Sequence, residues 1–207
     1  MKKNKTNKKF VYLISPNKIK DEGFYVNLSL VLSSKKVSFF QLRIKKETNK
    51  NKLIIGKKIQ KICKKYKVKF LINDEPKLAK KLNADGCHLG QKDMNILEAR
   101  KLLKDKIIGV TCHNSTNLAK KAIDDGANYL AFGAFYPSQT KKTKYKVGLK
   151  TLRVAKKMTN TPIVAIGGIK LSNYKKLLLN KANFLAISGY IWNNKKYKPL
   201  EAIKKLK

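Results

Sequence analysis

"KFLINDEPKLAKKLNADGCHLGQKDM", residues 69–94, contains one complete repeat of a longer pattern. KFLIND (69–74) is apolar on both faces, as a strand buried in a parallel sheet is. Pro76 then falls in the first turn of a helix, Asp85-Gly86 turns the chain, and GCHLG (86–90) begins a second short apolar run. Two strands joined by a helix form the unit of a parallel sheet. The same stretch poses a chemical question. Asp74 closes the first strand and Asp93 lies three residues past the second, in a chain with 12 acidic residues against 49 basic ones.

The pattern repeats on both sides. Further strand-like runs are FVYLIS (10–15), VSFFQLRI (37–44), IIGVTC (107–112), YLAFGAF (129–135), PIVAIGG (162–168) and FLAISG (184–189). Amphipathic stretches lie between them. In 52–66, Ile55, Ile59, Ile62, Cys63 and Tyr66 share one helical face. Residues 95–104 carry Ile96, Leu97, Leu102 and Leu103. Asn114, Ser115 or Thr116 caps a helix through Leu118, Ala119, Ala122 and Ile123, which Asp125-Gly126 ends. Residues 149–158, 172–180 and 199–206 supply more short helices. Eight alternating units predict a closed (β/α)₈ TIM barrel in a single domain spanning 1–207, with 1–9 as a disordered basic tail. An open doubly wound sheet would call for a glycine-rich turn after the first strand, and Pro16-Asn17-Lys18 stands there instead.

The formal net charge of +37 raises nucleic-acid binding first. All but three of the 49 basic residues are lysine, however, and they spread along the whole chain. Readers of nucleic acid favour the planar fork of arginine. The charge therefore reads mainly as a solvated surface, with no specific nucleic-acid partner. Cys63, Cys87 and Cys112 show no CxxC spacing, which points to a reducing compartment rather than a disulfide framework. The apolar run Phe10–Ile14 is too short for a signal peptide, and no run is long enough to span a membrane. The expected home is the cytoplasm. Monomer and homo-oligomer both stay open.

In a barrel of this kind chemistry gathers at the C-terminal ends of the strands. Gln41, Arg43 and Lys45 alternate, so they share one face of the second strand and form a cradle for an anion, with Arg43 able to grip phosphate oxygens in pairs. A salt-bridged strand end is the plainer alternative. Asn73-Asp74 and Asp93 end neighbouring strands, and two carboxylates there suit Mg²⁺, which fills its shell with waters and phosphate oxygens. Alternatively the two aspartates cap helices. Thr111 closes the fifth strand. The loop after the sixth carries Ser138, Thr140 and Lys141 and has the size of a lid. Gly167-Gly168 and Ser188-Gly189 follow strands seven and eight, the usual phosphate site of the barrel. Two phosphate sites point to two phosphorylated ligands in one pocket. His88 reads as an inner-wall or core histidine, and His113 follows the fifth strand, where it can face the pocket.

With these residues in place the chain resembles the thiamine-phosphate synthase family. The likeness rests on QLRIK, LINDEPKLAKKLNADGCHLGQKDM, IIGVTCHN, DGANYLAFGAFYPSQTKK, PIVAIGGI and AISGYI, in order over residues 10–190. It implies a (β/α)₈ transferase that joins 4-amino-2-methyl-5-pyrimidinylmethyl diphosphate to a thiazole phosphate, with Mg²⁺ assisting departure of pyrophosphate. It implies that Gln41, Arg43, Lys45, Asn73, Thr111 and Lys141 hold the diphosphate, with Arg43, Lys45, Thr111 and Lys141 in catalytic roles, and that Leu42 and Ile44 belong to the substrate-binding set. Asp74 and Asp93 would bind the metal. Ser138, Thr140, Gly168, Ile187 and Ser188 would bind the thiazole phosphate, Ile187 only through its backbone, and Gln139 joins the substrate-binding set. The chain has Thr111 where the family usually has serine and Ser138 where it usually has threonine, and bulky Tyr190 and Trp192 follow Ser188. Two other readings remain: a thiazole tautomerase on the same barrel, with His113 as its acid/base, and a non-enzymatic polyanion binder.

Overall fold

The computed structural model describes residues 9–138 and 145–207. The expected tail, apart from Lys9, lies outside the described residues, as do Gln139, Thr140 and Lys141.

The apolar runs become eight strands, β1 to β8: Val11–Ile14, Val37–Leu42, Lys69–Asn73, Gly86–Leu89, Ile107–His113, Tyr129–Gly133, Ile163–Ile166 and Phe184–Ile187. Each pairs in parallel with the next, and β8 returns to β1, so the sheet is a closed barrel with no free edge. The helices α1 to α9 are Gly23–Ser33, Asn49–Lys65, Pro76–Lys81, Ile96–Leu103, Thr116–Asp124, Leu149–Met158, Tyr174–Leu179, Gly189–Trp192 and Pro199–Lys205. Among the described residues none is long and apolar enough to cross a membrane.

Alternation along the strands divides the core in two. One set, including Tyr12, Ile14, Leu71, Tyr129, Val164 and Ala186, fills the barrel interior. The other, including Leu13, Phe40, Leu42, Ile44, Phe70 and Leu130, packs outward against the helices.

One helical expectation shifts. In α2 the buried line is Lys52, Gly56, Ile59 and Cys63, with Ile55 and Ile62 half-buried at its flanks. The rotation brings the Lys52 ammonium 2.6 Å from the Glu75 carboxylate, a pair the sequence does not announce. The helix α1 carries no clean apolar stripe in sequence, because apolar residues lie on its solvent side as well: Val26 is 61 % exposed and Leu30 42 %. Ser115, one of three candidates, caps α5 by accepting the Leu118 N–H at 3.2 Å, and Gly126 takes the positive φ of +89° that ends it.

Candidate active site

The strand β2 delivers its three polar residues at rising height. Gln41 is buried inside the barrel, Arg43 half-buried at the rim and Lys45 exposed above it. Arg43 is held by its surroundings: its N–H donates to Ser15 Oγ at 2.9 Å and its Nη1 to Asn17 Oδ1 at 2.7 Å. Leu42 and Ile44 turn their side chains into the helix-facing core, which leaves only their backbone for a ligand.

Asp74 and Asp93 meet. Neither caps a helix: the N-cap of α3 is Glu75, and that of α4 is Asn95, whose side chain accepts the Glu98 N–H. Asp74 instead takes a left-handed φ of +62°, with its N–H donating to the His88 carbonyl at 2.7 Å. That turn throws its carboxylate back over the barrel mouth. The chain folds Asp93 back so that its Oδ2 accepts the Gly90 N–H at 2.7 Å. The two carboxyl groups share a hydrogen bond, and the Lys45 ammonium lies 2.5 Å from Asp74. Burial works against ionisation of Asp74, but the bonds from Lys45 and Asp93 outweigh it and hold its pKa below the usual carboxylate range. Burial, then the bond shared with Asp74, push Asp93 up despite the Gly90 N–H.

Among the described residues no group of three acidic, histidine or cysteine side chains could hold a metal alone. The pair still fits a hard cation. Two oxygen donors already close enough to share one proton offer a divalent ion the partial shell that Mg²⁺ accepts, the rest coming from water and phosphate oxygens.

Asn73 is buried at the end of β3, beside this corner. Thr111 stands where β5 slips register against β6, a bulge that re-aims the strand end. Its Oγ1 lies 2.8 Å from His88 Nε2. His88 is an inner-wall residue, as its position on β4 suggested. His113, at φ +52°, stacks on Tyr145 at 4.0 Å between ring centroids.

On the opposite side of the mouth, the 134–137 segment runs along the end of β7: Phe135 N–H donates to the Ile166 carbonyl and Tyr136 N–H to that of Gly167. Gly168 has φ +58°, and a Cβ there would stand 2.2 Å from the Pro137 carbonyl oxygen. Only glycine allows this approach, which brings the chain leading to Ser138 beside the β7 end. Ser188, after Ile187 of β8, donates its hydroxyl to the Ser15 carbonyl at 3.1 Å. Ser15, buried and missed by the sequence reading, therefore ties the Arg43 corner to the Ser188 corner; the one signal was a hydroxyl ending the first apolar run. Trp192 faces away from the pocket, donating to the Ile14 carbonyl and packing on Phe24.

Comparison with known proteins bears on this geometry. The sequence profile of the thiamine monophosphate synthase family matches residues 11–191. The chain belongs to that family. It is 80 % identical over 207 residues, all of both chains, to the thiamine-phosphate synthase of Pelagibacter ubique. It is 38 % identical to that of Rhodospirillum centenum over 185 residues, 89 % of each chain. Among solved structures, thiamine phosphate pyrophosphorylase from Pyrococcus furiosus superposes with a TM-score of 0.84 at 28 % identity, over 97 % of this chain and 94 % of that one. A 3-hexulose-6-phosphate synthase, at 17 % identity and TM-score 0.67, covering 95 % of this chain and 98 % of that one, shares the fold.

Proposed function

We infer that the chain is a thiamine-phosphate synthase: a transferase that joins a pyrimidinylmethyl diphosphate to a thiazole phosphate and releases pyrophosphate. The observation that carries this reading is the pair Asp74 and Asp93, released from capping and set beside Gln41, Arg43 and Lys45 at the barrel mouth. Asp74 and Asp93 would hold Mg²⁺, which when bound supplies positive charge against a leaving diphosphate.

The residues around that corner act on the same charge. As the bond between the pyrimidinylmethyl carbon and the diphosphate oxygen breaks, negative charge grows on the leaving group. Arg43 and Lys45, with Lys141, oppose it and stabilise the transition state more than the ground state. Gln41, Asn73 and Thr111 orient the diphosphate substrate. The 134–138 segment, Gly168 and Ser188 seat the thiazole phosphate on the opposite side, so that its ring nitrogen faces the carbon left electron-poor. Leu42, Ile44 and Ile187 contribute backbone groups only. Ser138 and Thr140 would complete the thiazole side, and keeping water from the site would protect the cation from capture.

The names of the relatives favour this coupling over the tautomerase, which has no need of two carboxylates beside a basic cradle. The three buried thiols accord with the cytoplasm as workplace. Incubating the chain with both phosphorylated halves, with and without Mg²⁺, and reading the products by mass spectrometry tests the proposal. Thiamine phosphate and pyrophosphate should form only with metal. Turnover that survives EDTA and Asp74→Ala would end it.

A further inference from the structure

Five side chains from five strands form one unbroken hydrogen-bonded line across the barrel. Gln41 Nε2 donates to Tyr12 Oη at 2.9 Å. Tyr12 Oη lies 2.7 Å from Tyr129 Oη, Tyr129 Oη lies 2.9 Å from His88 Nδ1, and His88 Nε2 lies 2.8 Å from Thr111 Oγ1. Gln41, Tyr12, Tyr129 and His88 are each at most 8 % exposed. The interior is built around the line. Gly109 stands where a Cβ would fall 1.8 Å from the Tyr129 ring, and the His88 and Tyr129 rings stack at 5.7 Å.

We propose that this line is a positioning relay with a single polarity, which fixes His88 as its Nε2–H tautomer and turns the Thr111 hydroxyl proton toward the pocket as a donor. The number of protons available sets the polarity. Each tyrosine hydroxyl has one to give. Gln41 presents its amide N–H to Tyr12, so Tyr12 gives its proton onward to Tyr129. Tyr129 then gives its own to His88 Nδ1, which must be unprotonated to accept it. Nε2 therefore bears the proton and donates it to Thr111 Oγ1. Thr111 has accepted a bond and keeps its own proton to offer. Burial pushes both tyrosines up, so neither loses its proton near neutral pH.

The reverse polarity needs Gln41 to turn its carbonyl oxygen to Tyr12. Every proton in the line then runs the other way, and Thr111 shows only lone pairs to the ligand. A diphosphate carries acceptors alone, so that arrangement would repel the substrate. This last step rests on the proposed contact between Thr111 and the diphosphate. The tautomer itself does not. On the synthase reading, the orientation of a residue on β2 thereby sets the donor on β5, and both ends of the relay meet the same ligand from opposite sides of the mouth.

The test begins with ¹⁵N-histidine-labelled full-length protein. The chain has two histidines, and His113→Gln assigns the spectrum. Long-range proton–nitrogen spectra should show His88 with Nδ1 bare and Nε2 protonated. A Nδ1–H tautomer, or a fast mixture of the two, overturns the relay. Tyr129→Phe, checked for fold by circular dichroism, removes the proton given to Nδ1 and should release the tautomer into a mixture. With it, kcat/KM for the pyrimidine diphosphate should fall roughly tenfold to a hundredfold, the usual effect of losing a group that orients a contacting residue, while KM for the thiazole phosphate holds. His88→Gln, which keeps a donor within reach of Thr111, should recover part of what His88→Ala loses. An unchanged tautomer and unchanged kinetics in Tyr129→Phe refute the proposal. If the unaltered chain couples no substrates, the synthase reading fails, and the tautomer spectrum still decides the relay.

Discussion

Gly90→Ala tests the acidic corner without removing a carboxylate. A Cβ built on Gly90 would stand 2.8 Å from Asp93 Oδ2. Ordinary contact between such atoms begins near 3.4 Å, so the oxygen must retreat by about 0.6 Å. The carboxylate now accepts the Gly90 N–H at 2.7 Å, and the retreat stretches that bond past the working limit of about 3.2 Å. Asp93 moves rather than the backbone, because the atom in the way is the tip of a side chain. A hydrogen bond to a charged group contributes about 1.5–3 kcal/mol. Losing it, and with it the fixed place of one metal oxygen, should raise the half-saturating Mg²⁺ concentration roughly tenfold to a hundredfold. The assay is the coupling reaction titrated with Mg²⁺ at saturating substrates, with thermal unfolding as the control. At high metal, kcat should return to near its original value, since both carboxylates remain. In the double variant with Asp93→Asn the two effects should not add, because the second removes what the first displaces. A folded Gly90→Ala protein with the parent's metal titration would show that the anchored position of Asp93 has nothing to do with cation binding.

Arg43→Lys keeps the charge and loses the planar pair of donors, so turnover should drop about tenfold or more with KM for the diphosphate raised; steady-state kinetics with normal values would remove Arg43 from the cradle. Gly168→Ala meets both a positive φ and the Pro137 carbonyl oxygen at 2.2 Å, so KM for the thiazole phosphate should rise while that for the diphosphate holds; equal changes in both would dissolve the two-sided pocket. Burial pushes the Cys87 and Cys112 thiols up to about 12. At pH 8 that leaves a thiolate fraction of roughly 10⁻⁴, so a disulfide reagent should label them about a thousandfold more slowly than a free thiol until the chain is unfolded with guanidinium.

The barrel was legible because each buried parallel strand is apolar on both faces and each is followed by a turn signal. It blurred where solvent exposure and apolarity coincide, as in α1 with Val26 and Leu30, and where a lysine is buried, as Lys52 is in α2. A one-residue alternation was enough to bring Gln41, Arg43 and Lys45 together, and neighbouring strand ends were enough to bring Asp74 to Asp93. The relay was out of reach for a different reason. Tyr12 and Tyr129 are 117 residues apart and meet across the barrel rather than along a ladder. In the sequence each is one more aromatic in an apolar run, and nothing local says that its hydroxyl finds a partner. Ser15 shows the same limit, since its hydroxyl bonds the Arg43 backbone beyond β2 and its carbonyl accepts from the Ser188 hydroxyl beyond β8.

The energetics of the acidic corner explain why so basic a chain keeps it. A non-glycine residue in the left-handed region costs on the order of 1–3 kcal/mol when it is held there by its surroundings. Asp74 adopts that conformation at φ +62° and caps nothing. Asp93 sits against it, and the neighbouring carboxylate, after burial, pushes Asp93 above the usual carboxylate range. Helix capping nearby is done by other residues, Asn95 for α4 and Ser115 for α5. Folding alone would favour an asparagine or a glycine at position 74, which tolerate this backbone conformation and bring no second negative charge. Asp74 is one of seven non-glycine residues with positive φ among the described residues, but the one that sets its carboxylate against a second carboxylate, and that like-charge pairing is what a cation would relieve. Lys45 reaches that corner with its side chain still 54 % exposed while its ammonium is bound to Asp74. A divalent ion taking the two carboxylates would free that ammonium to face the phosphates, so metal and lysine would reach the departing charge together.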